Sequence, residues 1–395
     1  MQKQLSFSPP QRFPPKKQNS PSPPDLDRAA PMTRFEFATA QRIIFGRGVF
    51  RELPDLCRSF GQRTLLITGS RPQQYADLLP HVGIHSIRGE PTVEDIQTGV
   101  ALAKQHNADV IVAIGGGSVV DAGKAIAAMS TQPGDLMRYI EVIGAGKPLD
   151  ASPLPYIAVP TTAGTGAEAT RNAVIASTEH RVKASLRHIS MLPRIALIDP
   201  ELAVDVPPSV TAASGMDALT QCLEAFVCSR TQPMTDALCL DGIQRAIRSL
   251  ERAFQNGYDL DAREDMALCA LNSGIALANA GLGAVHGFAA PIGGMFHAPH
   301  GAVCAALLAP VWEANSKRAQ DRTKFDQVDS ILGGDAVSYL HALTARLHIP
   351  KLSQWGITDT DLEEIARKSA AASSMKANPV SLTHDELLAI LRQAL

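Results

Sequence analysis

The run Ala108–Met129, ADVIVAIGGGSVVDAGKAIAAM, limits the fold more than any other part of the chain. Val110–Ile114 is an uninterrupted apolar run, the pattern of a strand covered on both faces. Gly115–Ser118 reads as a tight loop and Val119–Met129 as a helix of small residues. Buried strands are also expected at Arg63–Gly69 and at Pro155–Val159, which Pro160 ends. Between them, residues 92–106 suit a helix with Val93, Ile96, Val100 and Ala103 along one face. Strands alternating with helices at this spacing indicate a parallel α/β sheet.

Beyond Ile195–Ile198 and Asp199-Pro200 the pattern changes to long Ala/Leu-rich helices, at Met216–Val227, Asp236–Phe254 and Arg263–Ala280. A Thr383-x-x-Glu386 cap signal opens the closing segment. Residues 1–31 hold eight of the 27 prolines and few large apolar groups, so they are expected to be disordered. The expected organisation is therefore a disordered extension over 1–31, a nucleotide-binding α/β domain over 32–200 and a helical metal and substrate domain over 201–395. A net charge of −2 argues against nucleic acid or an anionic membrane as a main partner. No apolar run approaches the ~20 residues of a membrane span. The six cysteines form no CxxC and no zinc-type spacing; several sit among apolar neighbours and read as small core residues in a reducing compartment, the cytoplasm.

Three stretches carry chemistry. Gly115, Gly116, Gly117 and Ser118 lie between a strand and a helix, where glycines let phosphate oxygens approach backbone N–H groups at a positively polarised helix start. Asp121 and Lys124 follow in the first turns of that helix. Pro160–Gly166, PTTAGTG, is a second small-residue loop beyond a strand end. The hydroxyls of Thr161, Thr162 and Thr165 can bond a pyrophosphate or ribose, and Gly164 and Gly166 permit close backbone approach. The third stretch, Gly281–Gly301, has no charged Asp, Glu, Lys or Arg but holds His286, His297 and His300. In one straight helix His286 and His300 would lie ~21 Å apart. Breaks at Pro291, Gly293-Gly294 and Pro299 would let the chain fold back and bring the two imidazoles to one ion, although spacing alone equally suits two separate core histidines. Asp217 and Gln221, one turn apart on a helix, could join them; read alone, Asp217, Gln221 and Glu224 are a polar helix face.

In order along the chain, GGGSVVDAGKAIA, PTTAGTGAEATRNAV, DPEL, GMDALT and the pair His286…PHG resemble the iron-containing (group III) alcohol dehydrogenase family, from Phe35 to Leu395. The resemblance implies a Rossmann-like N-terminal domain joined to an all-helical metal-binding domain, a dehydroquinate synthase-like architecture. It implies interconversion of alcohols and aldehydes or ketones with NAD or NADP, with Fe²⁺ or Zn²⁺ polarising the substrate oxygen, in a homodimer or higher homo-oligomer. By position, Asp217, His286 and His300 match three family metal ligands. Gln221 stands where the fourth is a histidine, and Ala290 where many members carry another. Lys183 matches a lysine near the cofactor, and with Ala290 unable to relay a proton, His297 or solvent through the ribose is left to do so. NAD-selective members carry an Asp where this chain has Gly69. With Ser70 and Arg71 beside it, Gly69 implies that NADP is accepted at least as well as NAD. Related maleylacetate reductases work without metal and supply an alternative; a nucleotide-binding protein without redox activity is the alternative from another class.

Overall fold

Strand β4 (Val110–Gly115) is buried at all six positions and sits inside a six-stranded parallel sheet. The computed structural model describes residues 34–79, 82–180 and 182–395; the expected tail over 1–31 lies outside them. Strands β1 (Arg42–Phe45), β2 (Thr64–Thr68), β3 (Val82–Ser86), β4, β5 (Tyr156–Pro160) and β8 (Ile195–Ile198) are ordered β1-β8-β5-β4-β2-β3. The four inner strands are buried throughout, and the edges β1 and β3 are not. Alternation decides which face each side chain joins. Leu65, Ile67, Ile111 and Ala113 pack on one face, while Leu66, Val112, Ile114, Ile157 and Val159 pack on the other.

Helices α1 (Leu53–Arg58), α2 (Gln73–Ala76), α3 (Val93–Gln105), α4 (Gly117–Met129) and α5 (Leu136–Tyr139) fall between strands. Helix α3 begins with a Thr92/Asp95 capping box, and α4 lies so close to the sheet that a Cβ on Gly123 would stand 2.6 Å from Ala113 Cβ. β6 (Asn172–Ser177) and β7 (Val182–Arg187) form a separate antiparallel hairpin. Within Phe35–Gly48, the segment before the first helix, one strand forms, β1.

From Pro208 onward the chain is helical. α6 (Pro208–Val227), α7 (Pro233–Gln255) and α8 (Leu260–Asn279) pack together, followed by α9 (Ala284–Phe296), α10 (His300–Arg318), α11 (Thr323–Ile331), α12 (Ala336–Arg346), α13 (Leu362–Ala370) and α14 (His384–Ala394). The Thr383/Glu386 capping box opens α14. A parallel sheet domain thus precedes a helical domain. Phe37–Leu395 pack as one unit. Among the described residues no single helix is long and apolar enough to cross a membrane; α8 and α9 meet that test only as a pair, bent by 97°.

The two halves meet backbone to backbone. Gly166 has φ +60°, and a Cβ there would lie 2.3 Å from Ala270 O and 2.5 Å from Gly274 Cα on α8. A Cβ on Gly164 would stand 2.8 Å from Ser214 Cβ on α6. These glycines therefore admit the helical half rather than a ligand, which corrects the expectation drawn from the PTTAGTG loop.

Candidate metal and cofactor site

Helix α6 buries three polar residues on one side: Asp217, Gln221 and Glu224 are 2%, 3% and 4% exposed. Burying such groups is costly unless they find partners, so each needs an explanation. Glu224 finds two. It accepts the Val285 N–H at 2.7 Å and the Nδ1–H of His286 at 2.6 Å. Those bonds fix the ring so that Nε2 faces Asp217 Oδ1 at 3.3 Å. Gln221 Oε1, one turn beyond Asp217, has no hydrogen-bond partner among the described residues.

His286 lies on α9 and His300 opens α10, with ring centroids 5.4 Å apart. The chain folds back as expected, but at one break rather than three. Helix α9 runs through Pro291 and Gly293-Gly294 and ends at His297, whose left-handed φ of +52° turns the chain into Pro299. Close packing completes the approach: a Cβ on Gly301 would lie 2.3 Å from Ala213 O on α6. The start of α9 is held from the far end of the chain. Asn378 Oδ1 accepts the Ala284 N–H at 3.0 Å, and Asn378 and Asn315 exchange amide hydrogen bonds of 3.0 and 2.7 Å.

A fourth donor completes the group. Cys304, one turn after His300 on α10, places Sγ 3.8 Å from His286 Nε2 and 3.7 Å from His300 Nε2. One donor atom from each of Asp217, His286, His300 and Cys304 lies within 4.8 Å of all the others. Sequence alone does not single out Cys304 and leaves Glu224 on a polar helix face; His300-x₃-Cys304 and Gln221-x₂-Glu224 are the spacings that signal both.

The electrostatics of the group call for a cation. Burial would raise the Asp217 pKa, but His300 and His286 outweigh it and hold the carboxyl below its ordinary value. Burial opposes charge on His286 too, yet Cys304, Asp217 and Glu224 raise its pKa well above the usual imidazole range. His300 is pushed up to about 9, first by charge on Cys304 and then, against burial, by Asp217. Protons on the imidazoles stand in for a positive charge that oxygen and sulfur donors attract from every side. A divalent ion fits that donor set, and the unpartnered Gln221 oxygen fits it as well.

The cofactor loops lie at the carboxyl ends of adjacent strands. Thr68, Ile114 and Val159 are level in β2, β4 and β5, so Gly69, Gly115–Ser118 and Thr161–Thr165 leave the sheet side by side. The Thr161 N–H donates to Gly115 O at 2.9 Å. A Cβ on Gly115 would lie 2.6 Å from Val119 Cβ and one on Gly117 2.7 Å from Thr165 Oγ1, so glycine keeps those two positions open, while one on Gly116 would make an ordinary 3.4 Å contact with Thr162 Oγ1. Gly116 caps α4 without a side-chain hydrogen bond, which leaves the helix start to a ligand. Around Gly69 a Cβ would meet nothing within 4 Å; Ser70 and Arg71 are exposed beside it.

The remaining residues divide. Asp121 turns away from the loop: its Oδ1 takes Lys124 Nζ at 3.2 Å and its Oδ2 the Val174 N–H at 2.9 Å, which ties α4 to the hairpin. Lys183 pairs with Glu90 at 3.1 Å, and its Nζ lies 3.6 Å from the position of a Cβ on Gly293, seven residues along α9 from His286. His297 and Ala290 are exposed.

Residues 40–200 match the iron-containing alcohol dehydrogenase family, and 211–395 match the C-terminal part of the Fe-containing alcohol dehydrogenase family. Alcohol dehydrogenase 4 of Saccharomyces cerevisiae is 35% identical over 311 residues, covering 77% of this chain and 80% of that protein. A crystal structure of 1,3-propanediol oxidoreductase superposes with a TM-score of 0.86 at 30% identity, over 92% of this chain and 100% of that one. Sulfoacetaldehyde reductase from Bifidobacterium kashiwanohense, solved in complex with NAD⁺, superposes with a TM-score of 0.83 at 26% identity, over 92% and 99%. The chain belongs to the iron-containing alcohol dehydrogenase family and is an oxidoreductase acting on alcohols.

Proposed function

We propose that this NAD(P)-dependent alcohol dehydrogenase holds a divalent ion with Asp217, His286, His300 and Gln221, and turns over a small alcohol or aldehyde between that ion and a nicotinamide. The observation that carries the reading is the buried donor group, with His286 aimed by Glu224 and the Gln221 oxygen unpartnered. When bound, the ion supplies a Lewis acid for the substrate oxygen and the nicotinamide gives or takes the hydride. The chain's own part is placement. Glu224 keeps the proton on His286 Nδ1 and leaves Nε2 free to coordinate. The N–H groups at the start of α4, with Thr161, Thr162 and Thr165, receive the cofactor phosphates. Lys183 is the cation at the cofactor side of α9. Ala290 cannot carry a proton, so exposed His297 exchanges it with solvent.

Metal analysis of protein purified without chelators, paired with NADPH- and NADH-dependent reduction of an aldehyde panel, tests the reading. Metal content and chelator-sensitive turnover are expected. Full activity from metal-free protein would instead favour a metal-independent, maleylacetate reductase-like activity. The open space at Gly69 beside Arg71 supports NADPH being used at least as well as NADH. Gly69→Asp is then expected to shift kcat/KM toward NADH, and a strong NADH preference in the unaltered protein would overturn that choice. The cysteines described are free and buried, which supports a reducing compartment such as the cytoplasm.

A further inference from the structure

We infer that Cys304 is itself a metal ligand, supplying as a thiolate the fourth strong donor that Gln221 does not, and that the resulting oxygen, nitrogen, nitrogen and sulfur set selects zinc over ferrous iron. The inference rests on the metal reading above and deepens it.

Geometry carries the case. Zinc bond lengths of about 2.05 Å to nitrogen, 2.1 Å to oxygen and 2.3 Å to sulfur, at tetrahedral angles, give ligand-to-ligand edges of about 3.4 Å for nitrogen to oxygen and 3.6 Å for nitrogen to sulfur. The protein shows 3.8 and 3.7 Å from Cys304 Sγ to the two Nε2 atoms. It shows 3.3 and 3.8 Å from Asp217 Oδ1 to the same pair. Four side chains from three helices thus bring one donor atom each to within 4.8 Å of all the others, with four of the edges near the lengths of a zinc shell. The spacing His300-x₃-Cys304 puts sulfur and imidazole on one face of α10, and Gly301 seats that face against Asp217.

The chemistry agrees with the geometry. Cys222 lies 3.9 Å from the Cys269 carbonyl, an ordinary core contact, whereas Cys304 lies between two imidazoles. One carboxylate and one thiolate together neutralise a divalent ion within its ligand shell, while the Glu224 carboxylate stands outside that shell on His286 Nδ1. A neutral amide oxygen at Gln221 cannot do this. Its unpartnered oxygen, on the helix that carries Asp217, is free to act as a weak additional donor. Thiolate is a soft ligand and favours zinc over the harder ferrous ion.

The full-length protein, stripped by chelation and reloaded with cobalt(II), reports sulfur ligation directly. Thiolate-to-cobalt charge transfer adds a near-ultraviolet band to the visible ligand-field bands. The expected result is that band in the unaltered protein and its loss in Cys304→Ser, with ligand-field absorption retained. Zinc affinity by chelator competition should fall in Cys304→Ser at least roughly tenfold, the lower range for losing a supporting partner of a ligand. Adding Gln221→His to Cys304→Ser should restore affinity without restoring the band, which also separates lost ligation from lost folding. Cobalt bound with ligand-field bands but no charge transfer would overturn the thiolate assignment and leave the metal reading standing. No cobalt bound at all would overturn both.

Discussion

Replacing Glu224 with glutamine isolates the part of the site that aims a ligand without touching substrate. The carboxylate serves two donors, the Val285 N–H at 2.7 Å and the His286 Nδ1–H at 2.6 Å. Glutamine has nearly the same shape but offers one oxygen and one NH₂ group. With its oxygen kept on Val285, its NH₂ group faces the Nδ1–H, donor against donor. Moving the ring proton to Nε2 relieves that clash, yet Nε2 faces Asp217 and Cys304 and would lose its coordinating lone pair. A metal must therefore bind against an unpartnered buried donor, a cost of about 1–3 kcal/mol. That is roughly a five- to 150-fold loss of affinity, overlapping the range for losing a supporting partner of a metal ligand. Zinc affinity of Glu224→Gln measured by chelator competition should fall by that factor. The metal-free protein should lose less stability than it loses metal affinity, since its ring can give up the Nδ1 proton, keep the one toward Asp217 and leave every donor partnered. An affinity within about twofold of the original would refute the tautomer argument, because the expected range starts well above that.

Gly301→Ala would set a methyl group 2.3 Å from Ala213 O, so α10 must retreat from α6 by roughly 1 Å, at about 1–3 kcal/mol of overpacking. Coordination tolerates only about 0.2 Å, so metal affinity should fall further than stability; equal affinity in both proteins would dismiss this account. Burial pushes the Glu168 carboxyl up to about 7 from its ordinary 4.5. A folded pKa raised above the unfolded one gives stability that is full below about pH 4.5 and lost as pH rises through about 7, worth at most about 3 kcal/mol. Glu168→Gln should flatten that decline in urea unfolding at about pH 5 and pH 8, and an unchanged slope would exclude Glu168 as its source.

The sheet was readable because its inner strands are buried on both faces and therefore written as unbroken apolar runs, as at Val110–Ile114. The loop after β4 was readable because a cradle built from backbone N–H groups needs glycines after a strand and before a helix. Other positions were decided by tertiary packing. Gly164 and Gly166 look like phosphate-loop glycines, and sequence cannot distinguish a glycine that admits a ligand from one that admits α6 or α8. Pro291 reads as a helix break, yet α9 continues through it, because a proline removes one hydrogen bond and neighbouring helices hold the turn. Asp121 sits one turn from the glycine loop but turns to Lys124 and the hairpin, a direction fixed by the burial of both groups. Cys304 was hidden by its neighbours, since in AVCAALL a cysteine passes for another small apolar residue.

The clamp on α9 has a consequence for the order in which the protein comes into being. A growing chain emerges from its N-terminus, and its domains tend to fold in that order. The α/β half can close around its sheet while the helices are still being made. Asp217, His286, His300 and Cys304 all emerge before Asn378, yet Asn378 supplies the acceptor for the Ala284 N–H, 94 residues upstream, at the start of the helix that carries His286. Until that late residue arrives, the start of α9 is held by Glu224 alone, and the Ala284 N–H beside it has no acceptor from Asn378. Metal retention is then expected to depend on the end of the chain, although none of the four donors lies there. A chain stopped short of Asn378 should keep a folded nucleotide half and fail to retain metal.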